Sequence, residues 1–318
     1  MNLHLSKQVT SFPKGSLIQG HWHKHRYKVI SLLGKGAIGS VYLCQRMDGK
    51  KVALKISQKN ASIITEVNVL KQLNKVQGRT LGPCLFDVDD ILLSNGVRLS
   101  FYVMEYVKGV PVDAFLKQRS KDWFGVFLLQ LLSDLDRLHQ HGWVFGDLKL
   151  DNVLVTDTPP KIRWIDVGGM TRIGRSIKEY TEFYDRGYWQ LGTRKAEPRY
   201  DLFAVVMLAL HYAYPNQFER GANPEQTLIN KLKQATVLQT YRVCLERALK
   251  GYYHSGSHML KELNQVLIKR QVPTRSHQPI SNNKLMKKVI EDTTFPLIEI
   301  WAIGFVSILF FLFYYFFI

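Results

Sequence analysis

The stretch His139-Gln140-His141-Gly142-Trp143-Val144-Phe145-Gly146-Asp147-Leu148-Lys149-Leu150-Asp151-Asn152-Val153-Leu154-Val155 decides how this chain is read. It places D-L-K-x-x-N between a strongly apolar run, Phe124 to His139, whose spacing predicts a helix, and a short β-branched run that predicts a strand. Nineteen residues after Asp147 comes Trp164-Ile165-Asp166-Val167-Gly168-Gly169. Phosphoryl transfer needs a carboxylate that positions or deprotonates the attacking hydroxyl, a cation for the charge on the γ-phosphate, and oxygen ligands for Mg²⁺. Asp147, Lys149, Asn152 and Asp166 are of the right types in the right order. Each alone is more commonly a structural residue; the ordered set is hard to obtain by chance.

Working toward the N-terminus, residues 27–57 alternate as strand, glycine turn, strand, turn, strand. The first turn is Gly34-Lys35-Gly36-Ala37-Ile38-Gly39, followed by Val41. Glycines there let backbone N–H groups approach phosphate oxygens with no Cβ in the way. Sixteen residues after Gly39, the strand Val52-Ala53-Leu54-Lys55 offers a lysine suited to α/β-phosphates. Glu66 follows on a predicted helix over 61–74, placed to meet Lys55. A β-rich region ends at Met104-Glu105-Tyr106, and helices are predicted over 201–214, near 227–250 and over 256–268. A small β-rich lobe thus precedes a larger helical one.

These motifs together resemble the bacterial eukaryotic-like (Hanks-type) serine/threonine protein kinases, over residues 27–268. The resemblance implies an α+β, bilobal protein-kinase fold that binds ATP and Mg²⁺ in the cleft and phosphorylates Ser/Thr of protein substrates. It implies Asp147 and Lys149 as catalytic and Asn152 and Asp166 as metal ligands. Nucleotide contacts would come from Gly34, Lys35, Gly36, Ala37, Gly39, Val41, Ala53, Lys55, Glu66, Met104, Glu105, Val107 and Leu154, with Met104 to Val107 as the hinge. Asp201 would hold the catalytic-loop backbone, and homodimers would serve trans-autophosphorylation, with Thr171, Ser176, Thr181 and Thr193 as candidate acceptors.

The departures are specific. The family's H-R-D reads Phe145-Gly146-Asp147, so the arginine that clamps an activation-loop phosphate is missing. D-F-G reads Asp166-Val167-Gly168. A-P-E has no clear match, since Ala196-Glu197-Pro198 lies too close to Asp201, and the arginine that pairs with its glutamate is absent near Tyr252-Tyr253-His254-Ser255. Two other functions compete: a small-molecule phosphotransferase of the aminoglycoside type, which Gly146-Asp147 echoes, and a non-catalytic adapter. Lys149 and the V-A-L-K strand disfavour the first; retention of Lys55, Asp147, Asn152 and Asp166 disfavours the second.

Composition bounds the rest. The chain has 318 residues, is 46% apolar, and carries 43 Lys/Arg against 26 Asp/Glu for a net charge of +17. That is too apolar for a disordered tail and basic enough to attract anions. Three widely separated cysteines exclude a disulfide framework, and the Cys/His spacing does not suggest zinc. Residues 1–59 hold eleven Lys/Arg against the single acid Asp48. This surplus is either a solvated strand face or a surface for DNA or acidic lipid. His21-Trp22-His23-Lys24-His25 reads as a polar strand edge, because Lys24 and Arg26 disfavour a cation.

At the other end Ile300–Ile318 is 19 residues without a charge. As a helix it would cover about 28 Å, close to a bilayer core. Lys284, Lys287 and Lys288 precede it, which favours a cytoplasmic body. The expected organisation is a basic lead (1–26), a kinase domain (27–268), a juxtamembrane linker (269–296) and a C-terminal transmembrane helix (297–318). This is a tail anchor in the cell membrane, similar to the tail-anchored kinases of spore-forming bacteria.

Overall fold

The computed structural model describes residues 11–36, 39–74, 81–157 and 159–271. Ala37 and the segment from 272 onward, with the expected linker and membrane span, lie outside the described residues. Among the described residues no helix is long and apolar enough to cross a membrane.

The first lobe contains β1 (Leu17–Gln19), β2 (Arg26–Lys35), β3 (Ser40–Arg46), β4 (Lys51–Ser57), α1 (Asn60–Leu73), β5 (Leu85–Leu92) and β6 (Arg98–Glu105). Its strands form one antiparallel sheet in the order β1-β2-β3-β4-β6-β5. Side chains alternate between the two faces of a strand, and β4 and β6 use both. Val52, Leu54 and Ile56 join Leu99, Phe101 and Val103 in a core on one face, with Ile18, Tyr27, Val29 and Tyr42. Ala53, Tyr102 and Met104 face the other way, toward α1 and the second lobe. The register pairs Ala53 with Met104 and Lys55 with Tyr102. Sheet alternation therefore brings Lys55 to the side where the lobes meet.

The sheet starts earlier than residue 27, since β1 pairs with β2. His21 to His25 is not a strand edge. It is a bend between β1 and β2, and its shape comes from β5. Asp89 on β5 accepts the backbone N–H groups of Trp22 and His23 at 2.9 and 2.8 Å, and Lys24 reverses the chain at φ 59°. That partner is more than sixty residues away and left no trace in the local pattern.

The second lobe follows as β7 (Val110–Pro111), α2 (Val112–Lys117), α3 (Asp122–Gln140), β8 (Trp143–Val144), β9 (Val153–Asp157), β10 (Pro160–Trp164), β11 (Thr171–Arg172), α4 (Pro198–Ala213), α5 (Pro224–Gln234), α6 (Arg242–Leu249) and α7 (Gly256–Gln271). Every residue of α4 from Tyr200 to Leu210 is buried, apolar except for Asp201, as befits a helix enclosed on all sides. Leu128, Leu131, Leu132, Leu135 and Leu138 of α3 join it in the same core. Each such side chain contributes roughly 1.5–3 kcal/mol on burial. Between this core and the sheet run two small antiparallel ladders, β10-β9-β7 and β11-β8. The connection from β8 to β9 carries the D-L-K-x-x-N motif.

Candidate active site

The site is built around one buried carboxylate. Asp201, in the first turn of α4, has no exposed surface. It accepts the N–H of Phe145 at 2.7 Å and of Gly146 at 3.0 Å, and meets His139 Nε2 at 2.8 Å. The rigid helix thus holds the loop that presents Asp147. Asp201 stands where the sequence put it; His139, 62 residues earlier near the end of α3, is a partner that the motifs do not reveal.

Gly146 explains the missing arginine. Its φ is +82°, a conformation that costs a side-chain-bearing residue about 1–2 kcal/mol. A Cβ there would fall 2.3 Å from the carbonyl oxygen of Gly169. Gly169 is equally confined, since a Cβ on it would fall 2.7 Å from Asp147 Cβ. The two glycines let the catalytic loop and the segment after Asp166 lie back to back.

Asp147 is held from two sides. Lys149 Nζ lies 2.8 Å from its Oδ2, and the Thr181 hydroxyl donates to its Oδ1 at 2.9 Å. Lys149 also donates to Thr181 Oγ1 at 3.1 Å. Thr181 is one of the four candidate phosphate acceptors, and its hydroxyl is engaged by both Asp147 and Lys149. Asn152 closes a short turn, Leu150–Asn152, and donates through Nδ2 to the Asp147 carbonyl at 2.8 Å. Asp166 accepts Gly168 N–H at 2.9 Å and lies 3.7 Å from Lys55 Nζ. Val167 is buried over Gly82 beside Leu73, so it fills the interior position that D-F-G gives to phenylalanine.

Lys55 and Glu66 meet at 2.6 Å, with Tyr102 also donating to Glu66 at 2.6 Å. Burial works against the charged Lys55 ammonium, but Asp166 and Glu66 outweigh it and hold the lysine pKa above its ordinary value. Burial and Glu66 together push the Tyr102 phenol well up, so it stays a donor. Tyr102 was legible as the β6 residue two before Met104 but was not chosen. Glu179 was missed altogether. Burial and Glu66 push its carboxyl up, against the pull of Lys55, and its Oε2 comes within 3.4 Å of where a Gly168 Cβ would be.

Between the lobes lies a cavity of ≈ 380 Å³. Of the expected residues, Gly34, Val41, Ala53, Lys55, Met104, Glu105, Val107, Asn152, Leu154 and Asp166 line it, joined by Leu33, Tyr102, Tyr106 and Ile165. Its apolar walls suit a flat heterocycle; Lys55, Asn152 and Asp166 put charge and oxygen at one end. Lys35, Gly36 and Gly39 belong to the adjoining turn, closed by Gly36 N–H to Gly39 O at 2.9 Å, and are not among the wall residues. Glu105 is gripped by both Arg163 guanidinium nitrogens, at 3.1 and 2.8 Å. Burial raises its carboxyl, Arg163 more than reverses this, and the pKa ends below the ordinary value. The hinge is therefore tied to β10.

The segment after Asp166 carries its own ion pairs. Asp185, fully buried, lies 2.6 Å from Arg194 Nη2 and accepts Tyr200 OH at 2.8 Å. Glu197 pairs with Arg186 at 2.6 Å. Arg186 lies eleven residues upstream of Glu197, so this pair is local to the segment.

A protein kinase domain family model matches residues 27–289. The chain is 45% identical over 292 residues to the serine/threonine-protein kinase YabT of Bacillus subtilis, covering 90% of this chain and 86% of that protein. It is 30% identical to the sporulation protein kinase mde3 of Schizosaccharomyces pombe and 33% identical to protein kinase C epsilon type of Rattus norvegicus. Those two matches cover 43% and 41% of this chain, and 26% and 18% of the relatives.

Gly146→Ala tests the back-to-back glycines: lowered thermal stability and a loss of turnover on the order of 10²-fold are expected, since misplacing a reacting group by an ångström costs about that much. Gly146→Arg should do no better. Wild-type melting and turnover in Gly146→Ala would contradict the account.

Proposed function

The chain belongs to the protein kinase family and is a serine/threonine kinase, and on that premise we propose that Asp147, Lys149, Asn152 and Asp166 carry in-line transfer of the ATP γ-phosphoryl group to a Ser or Thr hydroxyl. The observation that carries the assignment is the Asp147–Lys149–Thr181 cluster. Asp147 orients the acceptor hydroxyl and takes its proton. Lys149 balances charge developing on the transferred oxygens, and Lys55, fixed by Glu66, grips the α/β-phosphates. Asp166 and the Asn152 amide oxygen are hard oxygen donors at one end of the cavity, the ligand class that Mg²⁺ takes. When bound, the ion would neutralise phosphate charge.

Asp147→Asn should cut radiolabel transfer from ATP to a basic protein substrate by roughly 10²–10⁴-fold with folding intact. Equal labelling by the variant would remove the role given to Asp147.

The body is proposed to sit at the cytoplasmic face of the cell membrane, anchored by residues 297–318. The uncharged run Ile300–Ile318 and the lysines before it support this. The full chain should stay with membranes through alkaline carbonate extraction and a chain ending at residue 296 should not; release of both would refute the anchor.

Binding of DNA or acidic lipid to the basic first lobe is proposed to raise activity by gathering kinase molecules for trans-autophosphorylation. Exposed Lys28 and Lys51 flank Gln45 in one row across β2, β3 and β4, which supports an anion-binding face. Duplex DNA and acidic vesicles, tried separately at low salt, should increase self-labelling, and added salt should reverse the increase. A rate indifferent to both polyanions would count against it.

A further inference from the structure

One motif from the sequence is left unused by the cleft. His23 and His25 flank Lys24 in the bend between β1 and β2, and both imidazoles turn to one carboxylate on β5. His23 Nδ1 lies 2.7 Å from Asp87 Oδ1 and His25 Nδ1 lies 2.9 Å from Asp87 Oδ2. One ligand atom from each of the three side chains falls within 4.8 Å of the others. The Asp87 side chain is only 7% exposed, while those of His23 and His25 are 54% and 64% exposed, so the cluster has a buried floor and an open mouth.

Lys24 and Arg26 argue against a cation only while the bend is read alone. Strand β5 sets Asp87, Asp89 and Asp90 against it. The Asp89 side chain is fully buried and accepts N–H groups from Trp22, His23 and Asp90. Trp22 Nε1 donates to Asp90 at 3.2 Å, and His21 N–H donates to the Asp90 carbonyl at 2.7 Å. Gly20 N–H closes on the His25 carbonyl at 2.9 Å, and a Cβ at Gly20 would fall 2.2 Å from Asp89 Oδ2. The bend is thus fixed by backbone bonds before any ligand arrives. Asp87 has further support: Tyr27 OH donates to Oδ2 at 2.6 Å and Val88 N–H to Oδ1 at 2.9 Å.

We propose that His23, His25 and Asp87 form a binding site for a divalent transition-metal ion of the zinc class, separate from the catalytic cleft. Two imidazole nitrogens and one carboxylate oxygen suit Zn²⁺, Co²⁺ or Ni²⁺ and not Mg²⁺, which takes oxygen ligands. The ion takes the Nδ1 lone pairs, the protons there leaving to solvent or moving to Nε2, and small ring movements bring the donors to about 2.0–2.2 Å. Water completes the coordination at the open side. Tyr27 and Val88 hold the carboxylate as outer partners do at metal sites. The bound ion pins the bend between β1 and β2 to β5.

The test uses the full chain without a polyhistidine tag, stripped with chelator. It is titrated with Zn²⁺ by calorimetry and with Co²⁺ by visible absorption. One equivalent of Zn²⁺ and a Co²⁺ spectrum of four- or five-coordinate intensity are expected. His23→Gln and His25→Gln, both at exposed positions, should each weaken binding by about 10–100-fold with an unchanged circular dichroism spectrum. No saturable binding overturns the proposal. So does unchanged stoichiometry and affinity in the double variant, which would assign the ion to the cysteines or the cleft carboxylates. Neither histidine lines the cleft, so failure here leaves the kinase assignment untouched.

Discussion

A carboxylate with no exposed surface is a liability unless every lone pair is used. Asp201 converts that liability into architecture. Two backbone N–H groups from the turn before Asp147 and the imidazole of His139 near the end of α3 converge on it. Losing them would strand a buried charge, at a cost of about 3–5 kcal/mol when one partner of a buried pair is removed. The loop that carries Asp147 is therefore bound to α4, which is buried from Tyr200 to Leu210. From that anchor the rest of the geometry follows: Gly146 takes its left-handed turn, Gly169 can approach, and Asp147 reaches Thr181 and Lys149.

The opposite wall of the cleft is set by a different constraint. Strand alternation sends Ala53, Lys55, Tyr102 and Met104 to one face and Val52, Leu54, Phe101 and Val103 to the other. Glu66 on α1 then meets a lysine and a phenol at once. Arg163, from the second lobe, holds Glu105 at the end of β6. The cleft is thus spanned by one cation–carboxylate pair at its inner end, Lys55 with Asp166, and one at its hinge.

Much of this was legible in the chain because the chemistry sits in short motifs with fixed spacing. D-L-K-x-x-N, the lysine strand and Asp201 could each be placed, and the helices fell where apolar periodicity put them. What stayed hidden depends on partners distant in sequence. Thr181 reads in the sequence only as a candidate acceptor, because nothing nearby reveals that it faces Asp147, 34 residues earlier. The bend at His21–His25 looked extended because Asp87 and Asp89 are more than sixty residues downstream. Glu197 lies too close to Asp201 to read as A-P-E, and its pairing with Arg186 was not legible in the sequence. Local rules read backbone conformation well and long-range charge pairing poorly.

The self-contained ion pairs of residues 185–197 have a consequence for control. A segment whose order comes from Asp185 with Arg194 and from Arg186 with Glu197 is shaped by charges present from synthesis. With glycine in place of the phosphate-gripping arginine, residue 146 offers no cation to a phosphate on that segment. The fold itself supplies here the order that a bound phosphate would otherwise have to supply.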